Sequence, residues 1–129
     1  MSSRFCKNYL PVIFWACCLF IVSSIPSSSI PSFRINNVDL LLHFIAYAIL
    51  GFLLGNAFLF TREKVRLQFI IMACLAGIAY GASDEFHQMF VAGRSATVSD
   101  FIADSIGIMF GVLFFIQIPK VFFRKSGIK

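Results

Sequence analysis

The residues that could do chemistry in this sequence are few, and they lie in three short stretches. The chain has six acidic residues and two histidines. Five of these acids, both histidines and one glutamine border long apolar runs: Asp39, His43, Asp84, Glu85, His87, Gln88, Asp100 and Asp104. Carboxylates and imidazoles act as general acids or bases and ligate cations. Whether they form one site depends on the segments that carry them.

The composition indicates the class of protein. The 129 residues are 59% hydrophobic and 13% charged, with a mean hydropathy of +0.87. Ordinary soluble domains are about 45–50% apolar and about 25% charged, and disordered chains are more polar still. The 11 basic residues form short clusters and no continuous stripe, so no nucleic-acid partner is expected. We predict an integral membrane protein, a single domain over residues 1–129, with the lipid bilayer as its partner.

Four apolar runs, at about residues 9–25, 40–60, 67–90 and 101–118, approach the ~20 residues that a helix needs to cross a bilayer. They lack the alternation of strands, so we predict an all-α protein with four transmembrane helices. Ser99 is expected to cap the fourth helix. The first run follows Arg4 and Lys7 and also resembles a signal peptide. A retained anchor is favoured because the run continues to Ile25 without a typical cleavage site.

The connections between the runs predict the orientation. A loop rich in proline and serine follows the first run (26–38), a polar hairpin joins the second and third (61–66), and Pro119 precedes a basic tail. Nine basic residues lie in the two tails and this hairpin, whereas the opposite side has only Arg34 and Arg94. Basic residues accumulate on the cytoplasmic side. Both termini are therefore expected in the cytoplasm, and the five acids on the outer side.

Small residues predict how the helices pack. The last three runs each carry a G-x-x-x-G pattern: Gly51/Gly55, Gly77/Gly81 and Gly107/Gly111. Such stripes let helices approach closely in lipid, so helices two to four should form the packed core. At ~100° per residue, the acids of the third and fourth runs lie on these stripes, whereas Asp39 and His43 lie further from theirs and His87 projects away. The first run has no such stripe, so we expect it at the periphery with Trp15 facing lipid.

Most of these polar residues also have a structural interpretation. Asp39 and Asp100 are N-terminal acids that stabilise helix dipoles. Asp104 lies one turn deeper and is harder to explain in this way. His43, one turn after Asp39, could form an oriented pair with its carboxylate or could be an interfacial histidine with a satisfied hydrogen bond. His87 is expected at the membrane interface.

Asp84 and Glu85 are adjacent carboxylates, and their repulsion requires a proton, an arginine or a cation as compensation. Arg94 could pair with Glu85, or bind a phosphate or carboxylate through two parallel hydrogen bonds. Charges at membrane depth cost roughly 2.5–3.5 kcal/mol each and usually serve function. We therefore predict an outward-facing polar pocket lined by eight residues: Asp39, His43, Asp84, Glu85, Gln88, Arg94, Asp100 and Asp104.

Three stretches resemble the elements of a known family. They are D-L-L-L-H-F at 39–44 with Tyr47 and L-G at 50–51, E-F-H-Q-M-F at 85–90 with G-R at 93–94, and Asp100 through Asp104 to Gly107 and Gly111. These stretches resemble D-K-x-x-H-F, E-x-x-Q-x-F with G-R, and D-x-x-x-N-x-x-G-x-x-x-G of the VanZ-like family of small bacterial membrane proteins. The resemblance implies a multi-pass protein of the bacterial cytoplasmic membrane. The family's naming member is linked to reduced susceptibility to teicoplanin. Leu40 and Asp104 stand where the family commonly has Lys and Asn, which makes this pocket more negative and favours a bound cation.

Three hypotheses for the function follow. In the first, the pocket binds a lipid-linked or phosphorylated envelope component, affects teicoplanin susceptibility and needs no cofactor. In the second, the protein is a membrane-embedded enzyme in which His43 or Glu85 is the general acid or base on a lipid head group. Four acids are then the candidates to hold a divalent cation: Asp84, Glu85, Asp100 and Asp104. In the third, the protein is an ion- or proton-coupled transport component. This function would require polar residues along the whole membrane span, and the sequence has them at one end only. The sequence specifies neither the ligand nor the oligomeric state.

Overall fold

All regular secondary structure in the described part of the chain is helical. The structure is a computed structural model, and it describes residues 3–29, 38–59 and 65–118, with side chains from Cys6 onward. Four α-helices follow one another, α1 (Ser3–Ser23), α2 (Val38–Leu59), α3 (Leu67–Gln88) and α4 (Val98–Gln117), with a short 3-10 turn at Ser27–Ser29. Most of the predicted proline-rich loop and hairpin, and the tail from Pro119, lie outside the described residues.

Each of the four helices is long and apolar enough to cross a membrane. The 22 residues of α2 and of α3 correspond to a length of roughly 33 Å. Helices α2, α3 and α4 begin and end within three residues of the predicted runs, whereas α1 begins six residues earlier than predicted. The prediction of an all-α protein with four membrane-spanning helices is therefore confirmed.

Glycines allow α2 and α4 to pack with their backbones almost in contact. A methyl group added at Gly107 would lie 2.5 Å from the carbonyl oxygen of Phe44, and one at Gly111 would overlap the carbonyl oxygen of Ala48. From the other helix, a methyl group at Gly51 would overlap the carbonyl oxygen of Ile108. A side chain at these positions would separate the two helices. The prediction that glycine stripes hold helices two to four together is confirmed.

The glycines of α3 face the same interior, although against side chains. Gly77 lies against Ile108, and Gly81 lies against Tyr47 and Asp104. The buried apolar core forms between these faces and comprises Tyr47, Leu50, Leu54, Leu59, Ala73, Ile108 and Val112. Large apolar side chains on the opposite faces are exposed, as expected for helices surrounded by lipid.

Helix α1 lies at the periphery, and Ser23 is the only buried residue among those whose side chains are described on it. Two hydrogen bonds fix it to the core. The Trp15 indole donates to the carbonyl oxygen of Ala46 at 3.0 Å, and the Tyr80 hydroxyl donates to that of Ala16 at 2.6 Å. The prediction that Trp15 faces lipid is wrong. An indole N–H without an acceptor is costly in hydrocarbon, and the inward orientation supplies one.

The connection from α3 to α4 packs against the end of α1. Gly93 adopts a positive φ of 73°, and a side chain there would overlap the Ser27 hydroxyl. The Thr97 hydroxyl accepts from the backbone N–H of Asp100 at 3.1 Å and caps α4. The prediction that Ser99 caps this helix is wrong, because α4 begins at Val98 and Ser99 is already inside it. The Ser99 hydroxyl instead bonds that of Thr97 at 2.8 Å.

Candidate functional site

The ends of all four helices meet around one group of polar side chains. The C-terminal ends of α1 and α3 lie beside the N-terminal ends of α2 and α4. We define the polar cluster as seven side chains in this region: Ser23, His43, Tyr47, Asp84, Glu85, Gln88 and Asp104. Their positions along α2, α3 and α4 place the three carboxylates and the imidazole roughly 5–9 Å inside the helix ends. The antiparallel chain path thus brings the three predicted polar stretches to one end of the bundle.

Asp84 is the most fully hydrogen-bonded member of the polar cluster. Its carboxylate accepts from the Ser23 hydroxyl at 2.6 Å, the Tyr47 hydroxyl at 2.9 Å and the Gln88 amide at 3.2 Å. These donors belong to α1, α2 and α3, so a single carboxylate joins three helices. An ionised carboxylate accepts several hydrogen bonds and donates none, which matches this donor set.

Glu85 is buried beside Asp84 but has different partners. One oxygen accepts from the backbone N–H of Thr97 at 3.2 Å, and the other accepts weakly from the Gln88 amide at 3.4 Å. Through Thr97, Glu85 connects α3 to the start of α4. Gln88 contacts both carboxylates and holds their positions relative to each other.

Arg94 binds the end of α1 instead of an acid. Its guanidinium donates to the carbonyl oxygens of Val22 at 3.1 Å and Ile25 at 3.2 Å. Of the two alternatives considered for Arg94, the pairing with Glu85 does not occur among the residues that the structure describes. The last carbonyls of a helix have no partner within the helix and attract a cation, which explains the position of Arg94.

His43 and Asp104 form a close pair across α2 and α4. The His43 Nδ1 lies 2.9 Å from the Asp104 Oδ1. Of the two alternatives considered for His43, the pair with Asp39 does not form, because the Asp39 side chain is exposed at the start of α2 and Asp104 supplies the carboxylate. Asp104 itself is fully buried, and its Oδ2 has no hydrogen-bond partner among the described residues.

Gly81 leaves space beside this unpartnered oxygen. A methyl group at Gly81 would lie 3.7 Å from the Asp104 Oδ2, so this oxygen is directed towards α3. Glu85 lies one helical turn further along the same face of α3. His43, Glu85 and Asp104 each offer one atom suited to bind a metal, and these three atoms lie within 4.8 Å of one another.

The charge of the polar cluster is negative. It contains three carboxylates and one imidazole, and no lysine or arginine forms an ion pair with it within the described ranges. Buried carboxylates in contact with one another require a proton or a cation to offset their repulsion. The site is therefore suited to a cationic or hydrogen-bond-donating ligand rather than to a bare anion.

The remaining predicted residues lie around the polar cluster. Asp100 is half-buried in the first turn of α4, and its side chain has no hydrogen bond to the polar cluster in the part of the chain described here. The His87 ring packs on Phe20 at 4.5 Å between centroids, with its Nε2 3.0 Å from the Ser24 hydroxyl. His87 thus contributes to the attachment of α1.

Sequence reasoning missed two members of the polar cluster. Ser23 was not singled out, and Tyr47 was identified only as part of a family element. Tyr47 lies one helical turn after His43, so its position on the same face as a candidate residue was the available signal. For Ser23 no signal existed, because nothing in the sequence indicates which side of α1 faces Asp84.

Four apolar helices of membrane-spanning length, joined at one end by buried carboxylates, define a multi-pass integral membrane protein. Residues 9–123 match the family model described as VanZ/LLP1, a range that contains the whole polar cluster. The chain belongs to the VanZ/LLP1 family. No curated protein and no solved structure matches the chain significantly.

Proposed function

We propose that the polar cluster is the binding site for the head group of a lipid-linked component of the bacterial envelope, at the outer face of the cytoplasmic membrane. The observation that supports this proposal best is the buried, unpartnered Oδ2 of Asp104. A buried acceptor without a donor costs about 1–3 kcal/mol, so a ligand that supplies the missing partner binds favourably.

The contacts of Arg94 specify how such a head group would be recognised. Because its guanidinium binds the carbonyl oxygens of Val22 and Ile25, the positive charge nearest the site is already engaged with α1. A phosphate placed directly on the carboxylates would be repelled. Recognition therefore takes place through hydroxyl or ammonium donors of the head group, or through a cation between the carboxylates and an anionic group.

The lipids that copurify with the protein test this proposal. The wild-type protein and the variant Glu85→Gln are purified from bacterial membranes in a mild detergent without chelator, and bound lipids are identified by mass spectrometry. We expect one lipid class to be enriched with the wild type and reduced to its membrane abundance with Glu85→Gln. The matched control is Glu63→Gln. Glu63 belongs to the connection from the end of α2 to the start of α3, and the polar cluster lies at the other ends of these two helices. Equal lipid profiles for wild type and Glu85→Gln would refute the proposal.

The outward orientation and the effect on the envelope have separate tests. The orientation is tested with a reporter that is active only in the cytoplasm, fused to the C-terminus. We expect the reporter to be active, because basic residues predominate on that side of the chain and predict a cytoplasmic C-terminus. The family resemblance extends the proposal to antibiotics: expression of the wild type is expected to reduce teicoplanin susceptibility, and Glu85→Gln to abolish this effect. Susceptibility that is the same with Glu85→Gln would separate the antibiotic effect from the site.

A second candidate function is catalysis on the head group. The pair formed by His43 and Asp104 favours it, since a carboxylate that holds an imidazole in one orientation is a common arrangement for a general base. Conversion of the copurifying lipid by the wild type but not by His43→Gln, followed by mass spectrometry, distinguishes catalysis from binding. Transport has no comparable support, because the buried residues beyond the polar cluster, Leu54, Ile108 and Val112, are apolar.

A further inference from the structure

We propose that His43, Glu85 and Asp104 form a binding site for one divalent first-row transition-metal cation such as Mn²⁺. One nitrogen and two carboxylate oxygens, from three different helices, lie within 4.8 Å of one another. Three atoms separated by 4.8 Å from one another lie about 2.8 Å from their common centre, whereas bonds to the cation are about 2.1 Å long. A shift of less than about 1 Å of each ligand atom therefore brings all three to a common cation.

The unpartnered oxygen of Asp104 is an independent observation that points to the same ligand. Asp104 is 0% exposed, and its Oδ2 has no hydrogen-bond partner among the described residues. A carboxylate oxygen in this position is satisfied by a donor or by a cation. The missing side chain at Gly81 provides space beside it: an added methyl group would lie 3.7 Å from this oxygen.

The neighbouring contacts separate the ligands from the residues that support them. Asp84 accepts three hydrogen bonds, from Ser23, Tyr47 and Gln88, and it is not among the residues whose ligand atoms lie within 4.8 Å of one another, so we do not count it as a ligand. The backbone N–H of Thr97 and the Gln88 amide hold the carboxylate of Glu85 in place. Hydrogen bonds of this kind fix the orientation of metal ligands in known sites. Of the four acids considered from the sequence, the site retains Glu85 and Asp104.

The donor set indicates the kind of cation. Magnesium and calcium are bound almost entirely by oxygen, whereas an imidazole with two carboxylates suits manganese, iron or zinc. A charge of +2 offsets the repulsion among the buried carboxylates, a role that Arg94 does not fulfil because it binds α1. The His43 side chain is 18% exposed and that of Asp104 only 1%, so the cation enters past His43.

Three protein ligands leave coordination positions open for water or for a ligand oxygen. If the proposed head-group binding is correct, a phosphate or hydroxyl oxygen of the head group occupies one of them, and this step rests on the proposed function. The cation site itself rests only on the geometry of the three side chains. The two proposals therefore have separate tests.

The test adds Mn²⁺ alone to the full chain in detergent. The protein is first delipidated and freed of metal with a chelator, and the chelator is then removed. Mn²⁺ is chosen because exposed thiols such as Cys6 and Cys17 would bind Zn²⁺. The signal of free Mn²⁺ in electron paramagnetic resonance measures binding. We expect one equivalent per chain, and binding weaker by at least about tenfold for Asp104→Asn, since loss of supporting contacts alone costs 10–100-fold. The matched control Asp39→Asn, which removes an exposed carboxylate, is expected to bind as the wild type does.

Pulsed resonance measurements on the wild type keep the proposal testable if a variant fails to fold. Bound Mn²⁺ is expected to show coupling to an imidazole nitrogen, lost in His43→Asn and retained in His87→Asn. Absence of stoichiometric binding, absence of nitrogen coupling, or equal binding by Asp104→Asn and wild type would each overturn the cation site. Mn²⁺ binding by delipidated protein without any enriched lipid would support the cation site and refute head-group binding.

Discussion

Replacement of Tyr47 with phenylalanine removes one hydroxyl from the polar cluster and leaves the ring in place. The hydroxyl donates to the Oδ2 of Asp84 at 2.9 Å, between two residues that are 2% and 5% exposed. After the substitution this oxygen retains only the longer hydrogen bond of 3.2 Å from Gln88, while Ser23 still donates to the other oxygen. The change therefore isolates one charge-assisted hydrogen bond between α2 and α3.

The magnitude follows from two opposing estimates. Hydrogen bonds to charged groups contribute about 1.5–3 kcal/mol in soluble proteins. Side-chain hydrogen bonds within membranes average about 0.6 kcal/mol and reach about 1.7, because the unfolded helices also find partners. Asp84 is deeply buried but keeps two other donors, so we expect a loss of about 1–2 kcal/mol from the free energy of unfolding.

The assay is reversible unfolding in mixed micelles, analysed as a double-mutant cycle of Tyr47→Phe with Asp84→Asn. The matched control is Tyr80→Phe, because the Tyr80 hydroxyl donates to the neutral carbonyl of Ala16 and not to Asp84. We expect Tyr47→Phe to be coupled to Asp84→Asn and Tyr80→Phe to be additive within about 0.3–0.5 kcal/mol. A loss below about 0.5 kcal/mol for Tyr47→Phe, or equal coupling in both cycles, would refute the assignment of Asp84 as the residue that joins the helices.

Three further substitutions test other parts of the structure by the same unfolding assay or by hydrogen exchange. Gly111→Ala is expected to lower the free energy of unfolding by at least the 1–3 kcal/mol typical of overpacking, because the new methyl group overlaps the backbone of α2. The control Gly81→Ala makes ordinary contacts and is expected to lower the free energy of unfolding less. Equal losses would contradict the packing of α2 against α4. Arg94→Gln removes the hydrogen bonds to the end of α1 and is expected to raise the rate of amide hydrogen exchange in its last turn by up to about fivefold, equivalent to about 1 kcal/mol. The exchange rates in α4 are expected to stay unchanged. An equal change in both helices would contradict a local role of Arg94. With a chelator present, Asp104→Asn is expected to leave the free energy of unfolding unchanged or to raise it, because the substitution removes a buried carboxylate with an unpartnered oxygen. A loss of more than about 1 kcal/mol in the free energy of unfolding would contradict this prediction.

The arrangement of the spans was predictable because it depends on local properties. Hydropathy and length predict the helices, and the spacing of Gly107 and Gly111 predicts the close face of α4, because both patterns belong to one segment. The meeting of three polar stretches at one end also follows from the antiparallel order of the helices. These features need no knowledge of how one helix is rotated against the next.

The individual contacts were not predictable, because each depends on that rotation. Helical periodicity places His43 on a face of α2 but does not state whether α4 or solvent lies opposite, so the spacing to Asp39 was the only indication of a carboxylate partner. In the structure the glycines bring α2 and α4 close enough for Asp104 to be that partner. For Arg94, charge alone left Glu85 and a bound anion as alternative partners, whereas its acceptors in the structure are carbonyls at the end of α1.

The two buried aspartates of the polar cluster differ in how far the protein itself satisfies their hydrogen-bonding capacity. Asp84 has three donors, and every one of them belongs to the protein, so its carboxylate is satisfied without any ligand. Asp104 has one partner and one oxygen without any in the described structure, which costs free energy that the fold does not recover. A fold that needed only to hold its helices together would be better served by an apolar residue in that position. The unpartnered carboxylate of Asp104, placed beside Glu85 and the partly exposed His43, is therefore the observation on which the proposed head-group site and cation site of this VanZ/LLP1 protein rest.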